Sequence, residues 1–91
     1  MALAFLFRPR SMTRAQYEEG IRQLAAAGQG SPAGRLYHCC FGAEPELKVF
    51  DIWESREAVE AFTETMRPIM QSVGVDPGQP EVSPVLNTIA G

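Results

Sequence analysis

The sequence predicts a single α+β domain built as two strand-helix-strand halves, and three observations carry that prediction. Six segments follow the order β-α-β-β-α-β, a hairpin-sized gap separates the two middle strands, and a proline falls in the last strand, where only a sheet edge tolerates it. The 91 residues make one domain, 1–91. A chain this short buries only about 60–65% of the surface its unfolded form exposes, so its own core is thin and a covering partner would help.

Ala2 to Arg8 is an apolar run ended by Pro9 and reads as a buried strand. Thr13 opens a helix, with Gln16 at the capping-box spacing. Tyr17, Ile21, Leu24 and Ala25 then recur at helical spacing as one apolar stripe. Gly20 weakens this helix by about 1 kcal/mol relative to alanine and marks a close approach to another element. The run from Gly28 to Gly34, with Pro32 inside it, ends the helix in a loop.

Arg35 to Phe41 is the second strand, Gly42 to Glu46 the hairpin turn, and Leu47 to Trp53 the third strand. Ser55 is the N-cap of a second helix, with Glu57 in its first turn where the dipole favours negative charge. Val59, Phe62, Met66, Ile69, Met70 and Val73 form the cleanest periodic stripe of the chain; Pro68 inside it is expected to bend the last turns, and Gly74 ends the helix. Glu81 to Ile89 is the last strand. The whole is the ferredoxin-like βαββαβ pattern: a four-stranded antiparallel sheet of order 4-1-3-2 with two helices on one face, which places the strand holding Pro84 at an edge.

Two helices cover only one face of such a sheet, and the other should then turn polar. It does not. The first strand reads Leu3-Ala4-Phe5-Leu6-Phe7, and the third puts Val49 and Trp53 on one side and Phe50 and Ile52 on the other. An apolar second face calls for cover, and a second copy of the chain is the simplest cover, so a homodimer is expected.

The net charge of −3 and pI near 5.0 argue against a nucleic-acid partner. Arg8, Arg10 and Arg14 cluster near the start, but Glu18 and Glu19 follow and make the face mixed. The opening apolar run is too short for a signal-peptide core, and no stretch approaches the roughly 20 apolar residues of a membrane helix, so no membrane association is expected and the cytoplasm is the expected compartment. Cys39 and Cys40 are adjacent on a strand, point to opposite faces and are expected reduced.

The stretches Gly34-Arg35-Leu36-Tyr37-His38, Val49-Phe50-Asp51-Ile52-Trp53-Glu54-Ser55-Arg56-Glu57-Ala58 and Pro84-Val85-Leu86-Asn87 resemble the dimeric α/β-barrel superfamily, and within it small proteins related to the antibiotic biosynthesis monooxygenases. The resemblance implies a pocket in each subunit between sheet and helices. It implies chemistry ranging from cofactor-free oxygenation through cyclisation and isomerisation to haem degradation; fold alone does not choose among these. Haem-degrading members carry a histidine on the second helix; here that helix has none, and Phe62 lies where one would be expected. By similarity to the cofactor-free monooxygenases, Trp53, Asn87 and Tyr37 are side chains of suitable type to hold a small aromatic ligand, with no cofactor.

His38 is the only histidine, and an imidazole titrates in the range general acid-base catalysis needs; the alternative is a strand histidine bonded to a neighbour. Asp51 sits in the middle of an otherwise apolar strand, where a carboxylate is costly unless paired. A four-residue hairpin loop, Ala43 to Glu46, sets Asp51 opposite His38 and Trp53 opposite Leu36, whereas an odd loop length turns Trp53 to the other face. The expected site is therefore His38 and Asp51 as catalytic pair, with Trp53, Asn87 and Tyr37 around an aromatic or polyketide-like ligand and no metal. The alternative is a non-catalytic dimeric ligand-binding or structural module.

Overall fold

A computed structural model describes all residues, Met1–Gly91. The elements are β1 (Leu3–Phe7), α1 (Arg14–Ala26), β2 (Arg35–Phe41), β3 (Lys48–Trp53), α2 (Arg56–Val73) and β4 (Glu81–Pro84). The sheet is antiparallel throughout in the order β2-β3-β1-β4, which is the expected 4-1-3-2 read from its other edge.

The hairpin loop has the expected length. Phe41 pairs with Lys48, Cys40 with Val49 and His38 with Asp51, and the loop is closed by Glu46 N–H donating to the Ala43 carbonyl at 2.8 Å. Near the start of β2 the register shifts: Tyr37 still pairs with Ile52, but Arg35, not Leu36, pairs with Trp53. Leu36 is the extra residue of a β-bulge and is exposed. The last strand is shorter than the expected Glu81 to Ile89. Its register sets Pro84 opposite Leu3, so the chain runs out of partner at the start of β1, and only Val85 N–H reaches one residue further, to the Ala2 carbonyl. Beyond it Leu86, Asn87 and Ile89 stand free in the exposed C-terminal segment.

Gln16 ties the helices together. Thr13 and Gln16 form the expected capping box, Gln16 Oε1 accepting from Thr13 N–H at 3.0 Å. The other end of the same amide donates from Nε2 to the Val73 carbonyl at 3.1 Å, so it also satisfies the last turn of α2. The helices approach closely at Gly20, where a Cβ would sit 3.0 Å from the Met70 terminal methyl. Helix α2 runs through Pro68 as one element and ends at Gly74 in the left-handed conformation, the backbone that glycine adopts most cheaply.

Only ten residues are buried, and only Met12, Leu47 and Val75 among them form a closely packed cluster, at one end of the helix-sheet layer. Phe5, Leu24 and Trp53 are buried elsewhere in the domain. Much of the space between helices and sheet is cavity.

Glutamate is a usual residue at the third position of a capping box, yet Gln16→Glu should destabilise this protein. The carboxylate keeps the bond to Thr13 but replaces a donor by an acceptor facing the Val73 carbonyl at a helix C-terminus, and the expected loss is about 1–2 kcal/mol. A lower midpoint in urea denaturation at neutral pH checks it; an unchanged midpoint would show that the inter-helix bond contributes nothing.

Candidate active site

Strand register decides which side chains share the site. Direct partners in an antiparallel sheet point to one face, so Phe5, Asp51 and His38 lie together in one row, flanked by Phe7, Val49 and Cys40 on one side and Leu3, Trp53 and Arg35 on the other. This face looks at the helices. Between them is a cavity of about 90 Å³, walled by apolar side chains that include Ile21, Val59, Phe62 and Met66 and bearing the polar groups of Tyr17, His38, Asp51, Trp53 and Arg35.

Asp51 is buried, with only 5% of its surface exposed, and both carboxylate oxygens are occupied. Oδ1 lies 2.6 Å from His38 Nδ1, and Oδ2 accepts the Trp53 indole N–H at 3.4 Å. On the far side of the imidazole, Nε2 lies 2.6 Å from the Tyr17 hydroxyl, which α1 delivers from above. Burial, reinforced by the charges of Cys40 and Asp51, pushes the Tyr17 phenol from its ordinary 10 up to about 12, an effect that Arg35 partly opposes. The phenol therefore keeps its proton at neutral pH and donates it to Nε2, so Nδ1 carries the ring proton and donates to Asp51. Tyr17, His38 and Asp51 form a continuous hydrogen-bond chain from a buried carboxylate to a hydroxyl at the cavity.

Of the residues expected from sequence, the structure brings His38, Asp51 and Trp53 together. Trp53 is 1% exposed and packs on Phe62, ring centroids 5.1 Å apart. Tyr37 and Asn87 are not at the cavity. Tyr37 is next to His38 on the strand, so it points to the opposite face, is 54% exposed and meets Phe50 edge-on. Asn87 lies in the exposed segment past β4. Two cavity residues escaped the sequence reading. Tyr17 was assigned to the apolar stripe of α1, although a half-buried tyrosine hydroxyl needs a partner and the single histidine was the natural one. Arg35 reaches the cavity face only through the bulge, for which the sequence carries no signal. No group of side chains is arranged to hold a metal ion.

No family model matches the sequence, and no match was found among curated proteins. Solved structures do match. SnoaB, a cofactor-independent oxygenase from Streptomyces nogalater, superimposes with a TM-score of 0.62 at 12% identity, over 99% of this chain and 96% of its own. Rv0793 from Mycobacterium tuberculosis gives 0.61 at 17% identity, over 98% and 97%. MupZ from Pseudomonas fluorescens gives 0.63 at 8% identity, over 89% and 69%. At these identities what is shared is the fold, the ferredoxin-like α+β fold of structures that include antibiotic biosynthesis monooxygenase-like proteins.

The Tyr17 phenol holds its proton more tightly in the folded protein than in the unfolded chain. The stability this contributes is complete below pH 10 and is lost as pH rises through about 12. A near-ultraviolet titration should show one phenol ionising at about 12 that is absent in Tyr17→Phe. Loss of no such component in the variant would place Tyr17 outside the hydrogen-bond chain.

Proposed function

We propose that this chain is a small-molecule acid-base enzyme that works without a cofactor on an aromatic or polyketide-like substrate. The observation that supports it best is the Tyr17–His38–Asp51 chain ending at an apolar cavity. A buried strand histidine with a merely structural role needs one partner. This one has two, at 2.6 Å each, and the outer one is a hydroxyl that lines ligand-sized space.

The chemistry follows from the order of the groups. A ligand O–H or activated C–H gives its proton to the Tyr17 oxygen as the phenolic proton moves to His38 Nε2. The electron pair of the broken bond stays on the ligand, and the imidazolium is stabilised by the Asp51 carboxylate. Return of the proton to a different ligand atom completes an isomerisation or cyclisation. The same ligand anion is the species that molecular oxygen attacks in a cofactor-free oxygenation, which is the activity in the name of SnoaB. Trp53 orients the carboxylate through its N–H and gives an aromatic ligand a flat wall.

The proposed working unit is a homodimer. The outer face of the sheet carries Ala4, Leu6, Phe50, Ile52, Tyr37 and Phe41 with no helix over it, and Leu86 and Ile89 are 99% and 86% exposed in the C-terminal segment. A second copy seated sheet to sheet would cover the face, and exchanged C-terminal segments would cover the two loose side chains and carry Asn87 to the partner. No helix of the chain is long and apolar enough to cross a membrane.

Solvent-deuterium incorporation into a panel of phenolic and 1,3-dicarbonyl aromatic compounds, followed by NMR, tests the chemistry. The wild type should accelerate exchange in a compound that it binds. His38→Ala should lose about a hundredfold or more, and Tyr17→Phe should also lose rate while retaining binding. Binding without exchange in the wild type would favour a non-catalytic ligand carrier. For the assembly, sedimentation velocity should give a dimer that Ile52→Glu converts to a folded monomer; a wild-type monomer at micromolar concentration would end the dimer proposal.

A further inference from the structure

Arg35 is the one cation at the cavity, and the bulge is what puts it there. In the unbroken register of the rest of β2 and β3, Leu36 would face Trp53 and line the cavity, and Arg35 would point away. The inserted residue reverses this, leaving Leu36 60% exposed and bringing the guanidinium to the wall beside Trp53. A bulge that exposes a leucine and half-buries an arginine is unfavourable on both counts unless the arginine has a use. The position is also held firmly. Gly34, at φ +87°, lets β2 begin against the first turn of α2, where a Cβ would stand 2.5 Å from that of Ala58. The Gly34 carbonyl accepts from Glu54 N–H at 2.8 Å.

The guanidinium so placed has no carboxylate partner. None of the ion pairs in the molecule includes Arg35, and the Asp51 oxygens are taken by His38 and Trp53. Of its five N–H donors, one bonds to a protein group, Nη2 to the Gly30 carbonyl at 3.2 Å. A half-buried arginine with most of its planar fork free, at an apolar cavity, is arranged to take two oxygens of an anion side by side.

We propose that Arg35 is the anion anchor of this cavity, and that the ligand is a small, mainly apolar acid or enol whose planar oxyanion pairs with the guanidinium. The inference rests on the ligand-pocket reading above and narrows its substrate class. It also fits the direction of the relay: withdrawing a proton through Tyr17 leaves negative charge on the ligand, and Arg35 lies close enough to act on the Tyr17 phenol electrostatically. Arg35 thus binds the charge that His38 and Tyr17 create.

Benzoate and benzamide have the same shape and differ in charge, and the sole tryptophan lies in the cavity wall, so Trp53 fluorescence reports their binding. Wild-type protein should bind benzoate about tenfold or more tightly than benzamide. Arg35→Met should bring the two affinities together by weakening benzoate alone, and Arg35→Lys should keep part of the preference; an unchanged benzamide affinity shows each variant to be folded. Equal affinities in the wild type, or a benzoate preference that survives Arg35→Met, would overturn the anchor and leave the pocket and its proton relay standing. Failure of both compounds to bind would remove the pocket reading and this inference with it.

Discussion

The arrangement of the site depends on a single buried carboxylate. Asp51 sits in the middle of β3 among Phe50, Ile52 and Trp53, where an unpaired charge would cost several kcal/mol. Its two oxygens are satisfied by groups from two places in the sequence, the Trp53 indole two residues on and the His38 imidazole across the hairpin. Slipping β2 by one residue against β3 would turn His38 to the outer face and strip the carboxylate of its shorter bond. The pair therefore does more than occupy the site. It penalises the alternative register, and with that register would go the face on which the tryptophan, the histidine and the helix-borne tyrosine meet.

Much of this was legible in the residues. The element order follows from punctuation and periodicity, and the parity of a four-residue loop was enough to place Asp51 against His38. What was not legible has three physical origins. The length of β4 depends on where its partner begins, so residues 85–89, which look like strand, have no ladder to join. Tyr17 reaches His38 only because α1 packs at a particular height over β2, a tertiary fact that helical spacing does not contain. Arg35 depends on a bulge, and an inserted residue in a strand leaves no periodic trace when both neighbours, here Leu36 and Tyr37, are apolar enough to lie on either face.

The bulge and the hairpin act on the same strand with opposite effects. The hairpin end keeps strict register and fixes the acid-base pair; the other end breaks register and exchanges a leucine for an arginine at the cavity wall. Between them β2 presents His38 and Arg35 to one space although an odd number of positions separates them, which a regular strand cannot do. A pocket with a proton relay at one point and a free cation at another needs this kind of irregularity, since strict alternation would send one of the two outward.

A cavity in the helix-sheet layer has a structural consequence. Side chains that in a larger domain would fill the centre here line a void, and the tightly packed cluster of Met12, Leu47 and Val75 is confined to one end. The domain is held instead by directional links at its margins: the Gln16 amide between the helices, the backbone bond from Glu54 to Gly34, and the single bond from Val85 back to Ala2. Hydrogen bonds of this kind contribute about 1 kcal/mol each, far less than burial of a full set of apolar side chains. The largest remaining apolar surface is the outer face of the sheet. Covering it with a second copy would supply burial that the hollow interior gives up, which is the physical reason a pocket of this kind and a sheet-to-sheet partner belong together in so short a chain.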